Sequence, residues 1–84
     1  MGNLIDHHFH LESAILSLSG EVDALKSFTI FNHLDKVVLS KELDGKNVDF
    51  SGLPEGLYKT DFFDGSGNIL LSVKIFKEST QNFF

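Results

Sequence analysis

The chain has no cysteine, no arginine and no tryptophan, a single proline, and no run of apolar residues longer than three. Each absence removes a class of explanation. Without cysteine there is neither a disulfide scaffold nor a thiolate metal site. Without arginine the planar fork that reads phosphates and guanine edges is missing. The seven cations are all lysines, scattered from Lys26 to Lys77 with acids near most of them, so direct nucleic-acid binding is not expected. No segment approaches the roughly 20 apolar residues of a membrane span. The opening segment from Met1 to Ser13 lacks the basic and long apolar regions of a signal peptide. Asp6 also stands where a myristoylation motif wants serine or threonine. A free-standing chain is therefore expected in the cytoplasm, and one cut from a longer exported precursor at the cell surface or outside the cell. With only one proline, few ladder hydrogen bonds are forfeited in a sheet.

What the 84 residues do contain is nine phenylalanines and a net charge of −5. A domain of this size buries only roughly 60–65% of its unfolded surface, so large aromatic bodies matter for filling a thin core. The acidic balance favours a basic protein partner, or simply solubility.

Turn residues punctuate the chain at Gly20, Asn32 to Lys36, Asp44-Gly45, Gly52 to Gly56 and Asp64 to Asn68. Intervals of about 8–12 residues are the rhythm of a sandwich or barrel. In the first part, Phe9 and Leu11 alternate with polar neighbours, then Ala14, Leu16 and Leu18 continue on the opposite parity. That phase change fits either a bulge near Glu12-Ser13 or two short strands. Glu21 to Leu25 reads as a short turn. Strands are expected from Ser27, over Val37 to Leu43, Asn47 to Phe50, Leu57 to Phe63 and Ile69 to Phe76, with Asp44-Gly45 as a type I′ hairpin turn. The sequence thus predicts an all-β fold, a small immunoglobulin-like β-sandwich of six or seven antiparallel strands, with one domain over 1–78 and a tail over 79–84. The expected core is Phe28, Ile30, Val38, Phe50, Leu57, Phe63, Leu71, Val73 and Ile75.

Several stretches, Phe28 to Asn32, Lys36 to Val38, Val48 to Tyr58 and Lys74 to Lys77, carry a resemblance. Together they resemble the C-terminal sorting domain of type IX secretion system cargo in Bacteroidetes, over roughly residues 26–77. The most specific piece is Ser51-Gly52-Leu53-Pro54-Glu55-Gly56-Leu57-Tyr58, where Pro54 presets a tight turn and Gly56 frees the backbone for positive φ. The resemblance implies an immunoglobulin-like sandwich that a secretion apparatus recognises before cargo is released or anchored. The chain departs from the family at Asp35-Lys36, where a glycine is usual, at Lys59 and Asp61 in a strand that is usually apolar, and in continuing from Glu78 to Phe84.

Candidate chemistry is sparse. His8 and His10 would share one face of a strand and could grip a transition metal, with His7 nearby. A structural site takes four ligands and only these local ones are evident, so no metal is expected. Aligning Gly67 with the invariant glycine of a calcium loop puts Phe62 and Val73 at the first and last ligand positions, so that reading fails. There is no Gly-x-Ser-x-Gly elbow. Neither enzymatic activity nor a cofactor is expected. The aromatics exceed what a small core needs, and Phe31, Tyr58, Phe62, Phe83 and Phe84 are the expected partner-binding residues. The leading expectation is a non-catalytic protein-binding module, in its most specific form a sorting domain. The alternative is a free-standing acidic antagonist, such as a phage-type inhibitor of a basic nucleic-acid-processing enzyme. A homodimer through edge-strand pairing is a third option.

Overall fold

Alternating apolar residues between the turns become seven strands in the computed structural model, which describes residues 5–78. They are β1 (Ile5–His10), β2 (Ile15–Gly20), β3 (Ser27–Phe31), β4 (Val37–Glu42), β5 (Asn47–Asp49), β6 (Gly56–Phe63) and β7 (Ile69–Lys77). The described residues contain no helix, hence none long and apolar enough to cross a membrane. One sheet has three strands in the order β1-β2-β5 and the other four in the order β4-β3-β6-β7, with every pairing antiparallel. This is a small two-sheet β-sandwich, with β2–β3, β4–β5 and β5–β6 crossing between the sheets. The expected tail over 79–84 lies outside the described residues.

The core is built from alternate residues of each strand. Leu16, Leu18 and Val48 line it from one sheet, and Phe28, Ile30, Tyr58, Phe62, Val73 and Ile75 from the other. Phe50, just past β5, is fully buried and meets Phe9 and Tyr58 edge-on, at centroid distances of 5.5 and 6.0 Å. The phase change in the first part resolves as two strands joined by a tight turn. In that turn Ala14 takes φ 58°, its N–H donates to the His10 carbonyl at 2.8 Å, and its own carbonyl accepts from the Phe50 N–H at 2.7 Å.

Two sequence expectations are corrected. Asp44-Gly45 is not a hairpin turn, because β4 pairs with β3 and β5 pairs with β2. Gly45 has φ 77° but Asp44 is not in the positive-φ region, and a type I′ turn needs both. The segment instead carries the chain to the other sheet, where Val48 is buried opposite Leu16. The parity of β6 is also the reverse of that expected. Tyr58, Thr60 and Phe62 face the core while Leu57, Lys59, Asp61 and Phe63 face outward. Val38 is likewise exposed, at the irregularity where β3–β4 pairing shifts between Ile30 and Phe31.

Two hairpins share one turn design. In Asn32 to Lys36, the Asn32 N–H donates to the Lys36 carbonyl, Asn32 Oδ1 accepts from the N–H groups of Leu34 and Lys36, and Asp35 has φ 62°. In Asp64 to Asn68, the Asp64 N–H donates to the Asn68 carbonyl, Asp64 Oδ1 accepts from the N–H groups of Ser66 and Asn68, and Gly67 has φ 89°. A side-chain acceptor at the first position and a left-handed fourth residue produce the same reversal twice.

Candidate functional site

Outward residues of the four-stranded sheet fall into rows that follow from its register, since residues directly opposite in an antiparallel pair share a face. The middle row is polar and runs Ser40, Thr29, Asp61, Ser72 across all four strands. Thr29 and Ser40 share a hydrogen bond of 2.9 Å, and the Ser72 hydroxyl donates to Asp61 Oδ1 at 2.7 Å. Neighbouring side chains bury Asp61 to 4% exposure even though it lies on an outer face.

Toward the β3–β4 turn the next row is Val37, Phe31, Lys59, Lys74. Lys59 Nζ stands 4.9 Å from the Phe31 ring centroid and 3.8 Å from Asp61 Oδ2. The aliphatic stem and ammonium of Lys59 therefore lie over a half-buried ring. Beyond it Leu57 pairs with Phe76, and both are about half exposed, at 49% and 58%. Leu34 at the turn tip is 63% exposed. Every large exposed hydrophobic among the described residues except Leu11 belongs to this sheet or to its β3–β4 turn. The outer face of the other sheet is polar by contrast, presenting Asp6, His8, His10, Ser17, Ser19, Asn47 and Asp49 around Ile15.

Behind the apolar end sits a rigid bend. The Tyr58 hydroxyl donates to the Pro54 carbonyl at 2.6 Å, the tyrosine corner of immunoglobulin-like sandwiches. Lys77, at the end of β7, donates from Nζ to the carbonyls of Phe50 at 2.9 Å, Ser51 at 3.3 Å and Leu53. Gly56 has φ 151°, in the region that the sequence reserved for glycine. Asn32, His33, Val38, Leu53 and Leu57 border an open cleft of about 240 Å³ between this bend and the turn, below the size of most small-molecule pockets.

Among the described residues expected to bind a partner, only Phe31 lies on this face. Tyr58 and Phe62 are corrected: both are interior, at 6% and 0% exposure, because Lys59 keeps its side of β6 toward solvent and Asp61, though covered by neighbours, finds Lys59 and the Ser72 hydroxyl only on that outer side. Phe83 and Phe84 lie outside the described residues. Sequence reasoning missed Leu34, Val37 and Leu57, and left Phe76 outside the core without giving it a place. The available signal was the alternation of Leu57 with Lys59 and of Phe76 with Lys74, which puts each apolar residue on the side of a lysine.

His8 and His10 do share a face, with ring centroids 4.4 Å apart in an edge-to-face contact, and His7 points the other way. The Asp64 turn behaves as a hairpin loop, since its carboxylate is taken up by Ser66 N–H, Asn68 N–H and Asn68 Nδ2. These donors, the Asn68 N–H foremost, hold the Asp64 carboxyl below its ordinary value. Hydrogen bonds from Ser51 do the same for Asp49, and desolvation raises the Tyr58 phenol. No family model, curated protein or solved structure matches the chain.

Proposed function

We propose that this chain is a non-catalytic protein-binding module whose contact surface is the Leu57–Phe76 end of the β4-β3-β6-β7 face. The observation that carries the reading is the contrast between the two outer faces, one presenting Phe31, Leu34, Val37, Leu57 and Phe76 and the other mainly serine, asparagine and ionisable groups. Scattered surface leucines need no explanation, whereas registered apolar rows on one side of a sandwich mark an interaction surface.

The charges on this face refine the partner. Net charge alone suggests a basic one, yet Lys59 and Lys74 stand between Phe31 and Phe76, while most of the acids lie in turns. The partner that fits is a protein surface with an apolar anchor and carboxylates placed opposite the two lysines. The most specific support for the sorting-domain version is the Ser51 to Tyr58 motif, which here forms the corner behind the face. A corner of this kind serves the fold in many sandwiches, so the motif supports the module more than the export role.

The test uses a photo-crosslinkable residue on this face in the native host, followed by affinity measurements with the recovered partner. Leu57→Asp combined with Phe76→Asp is expected to weaken binding at least tenfold. Ser19→Asp combined with Asn47→Asp, on the other sheet, leaves it unchanged. Equal loss in both variants, or none in the first, refutes the assignment of the face.

A further inference from the structure

The three-stranded sheet holds a second chemistry that the apolar face does not use. Its strands carry two carboxylates, Asp6 and Asp49, and no lysine; Lys77 and Lys41 act on Asp49 from neighbouring segments, so Asp6, on the strand of the histidines, is the carboxylate that favours a cation there. On its outer face His8 and His10 are both exposed, with ring centroids 4.4 Å apart and planes at 78°. Imidazole is a good ligand for zinc, nickel and copper. Two imidazole nitrogens at about 2.0–2.1 Å from one ion lie roughly 3 Å from each other. Exposed neighbouring rings reach that separation by side-chain rotation, with no movement of the backbone. Glu12 borders the same cleft and adds negative charge.

No group of three or more metal-ligating residues gathers among the described residues, so one chain supplies half of a closed tetrahedral set. The fold offers a way to supply the rest. β1 pairs only with β2 among the described strands, and its other edge carries neither lysine nor proline to deter another strand. A two-fold antiparallel pairing of β1 with the β1 of a second copy, centred on Phe9, sets His8 opposite the copy's His10 and the reverse. Opposed residues then share a face with Cβ atoms about 4.5–5.5 Å apart, giving a block of four imidazoles. We propose that His8 and His10 bind a late first-row divalent cation that joins two copies of this chain along β1.

The test is titration calorimetry and light scattering on the full chain with zinc or nickel chloride, before and after EDTA. The expected result is one ion per two chains and a doubled mass, reversed by EDTA. His8→Ala and His10→Ala should each weaken binding at least tenfold with an unchanged circular dichroism spectrum, while His33→Ala at the far turn has no effect. Absence of binding at tens of micromolar ion, binding that survives both substitutions, or one ion per chain at monomer mass overturns the proposal.

Discussion

The Tyr58 hydroxyl reaches back four residues to the Pro54 carbonyl at 2.6 Å, tying the first core residue of β6 to the bend that delivers it. The ring itself is buried against Phe50, so the two contributions can be separated. Tyr58→Phe keeps the ring and loses the hydrogen bond, and should destabilise the fold by about 1 kcal/mol in urea unfolding. An unchanged midpoint would show that the bend stands without the bond.

Thr60 offers a change of opposite sign. Its hydroxyl is fully buried on the core side of β6, between Ile30 and Val73, and has no hydrogen-bond partner. Thr60→Val preserves the shape and removes the stranded polar atom, so stability should rise by roughly 1 kcal/mol or more. A lower melting temperature for the valine variant would mean that the hydroxyl is satisfied in solution.

Asp35 holds φ 62° in the β3–β4 turn, a position that admits glycine and tolerates aspartate. Asp35→Gly should leave stability unchanged or slightly higher, because relief of backbone strain offsets the added freedom of the unfolded chain. Asp35→Val, which puts a β-branched residue there, should lose about 1–3 kcal/mol. Equal behaviour of the two variants would refute the turn geometry.

Asp49 and Asp64 are both held below the ordinary carboxylate value, by Ser51 and by the donors of the Asp64 turn respectively. A depressed folded value means stability that is fully present above the unfolded value, about pH 4, and is lost as pH falls through the lower folded value. Unfolding midpoints should therefore drop below about pH 4. Asp64→Asn retains an acceptor without titrating, so its acid limb should be shallower. Identical slopes in the two proteins would rule out this carboxylate as a source.

Much of the sandwich was legible because turn residues are local signals: the paired strands β3–β4 and β6–β7 follow from the spacing of Asn32 to Lys36 and Asp64 to Asn68. The face of β6 was misread because Leu57 and Phe63 carry large apolar side chains on the same side as Lys59 and Asp61. Exposing a leucine costs far less than burying an unpaired charge, so the two charges decide. Asp44-Gly45 misled for another reason. Its local chemistry suits a tight hairpin, but whether the following strand turns back or crosses over depends on distant partners, here Leu16 with Val48. The shared face of His8 and His10 was readable from strand periodicity, whereas the apolar end of the outer face needed the register of four strands to assemble it.

The matching turns at Asn32 to Lys36 and Asp64 to Asn68 separate geometry from display. In each, the first residue's side chain and the left-handed fourth residue do the folding, and the third position, Leu34 in one and Ser66 in the other, contributes only its backbone N–H, which leaves its side chain without a structural duty. The tips are in effect interchangeable cassettes on one frame. A substitution at either tip can rewrite what that tip displays without renegotiating how the chain reverses, so the exposed surface at Leu34 and the stability of the hairpin are free to evolve at different rates.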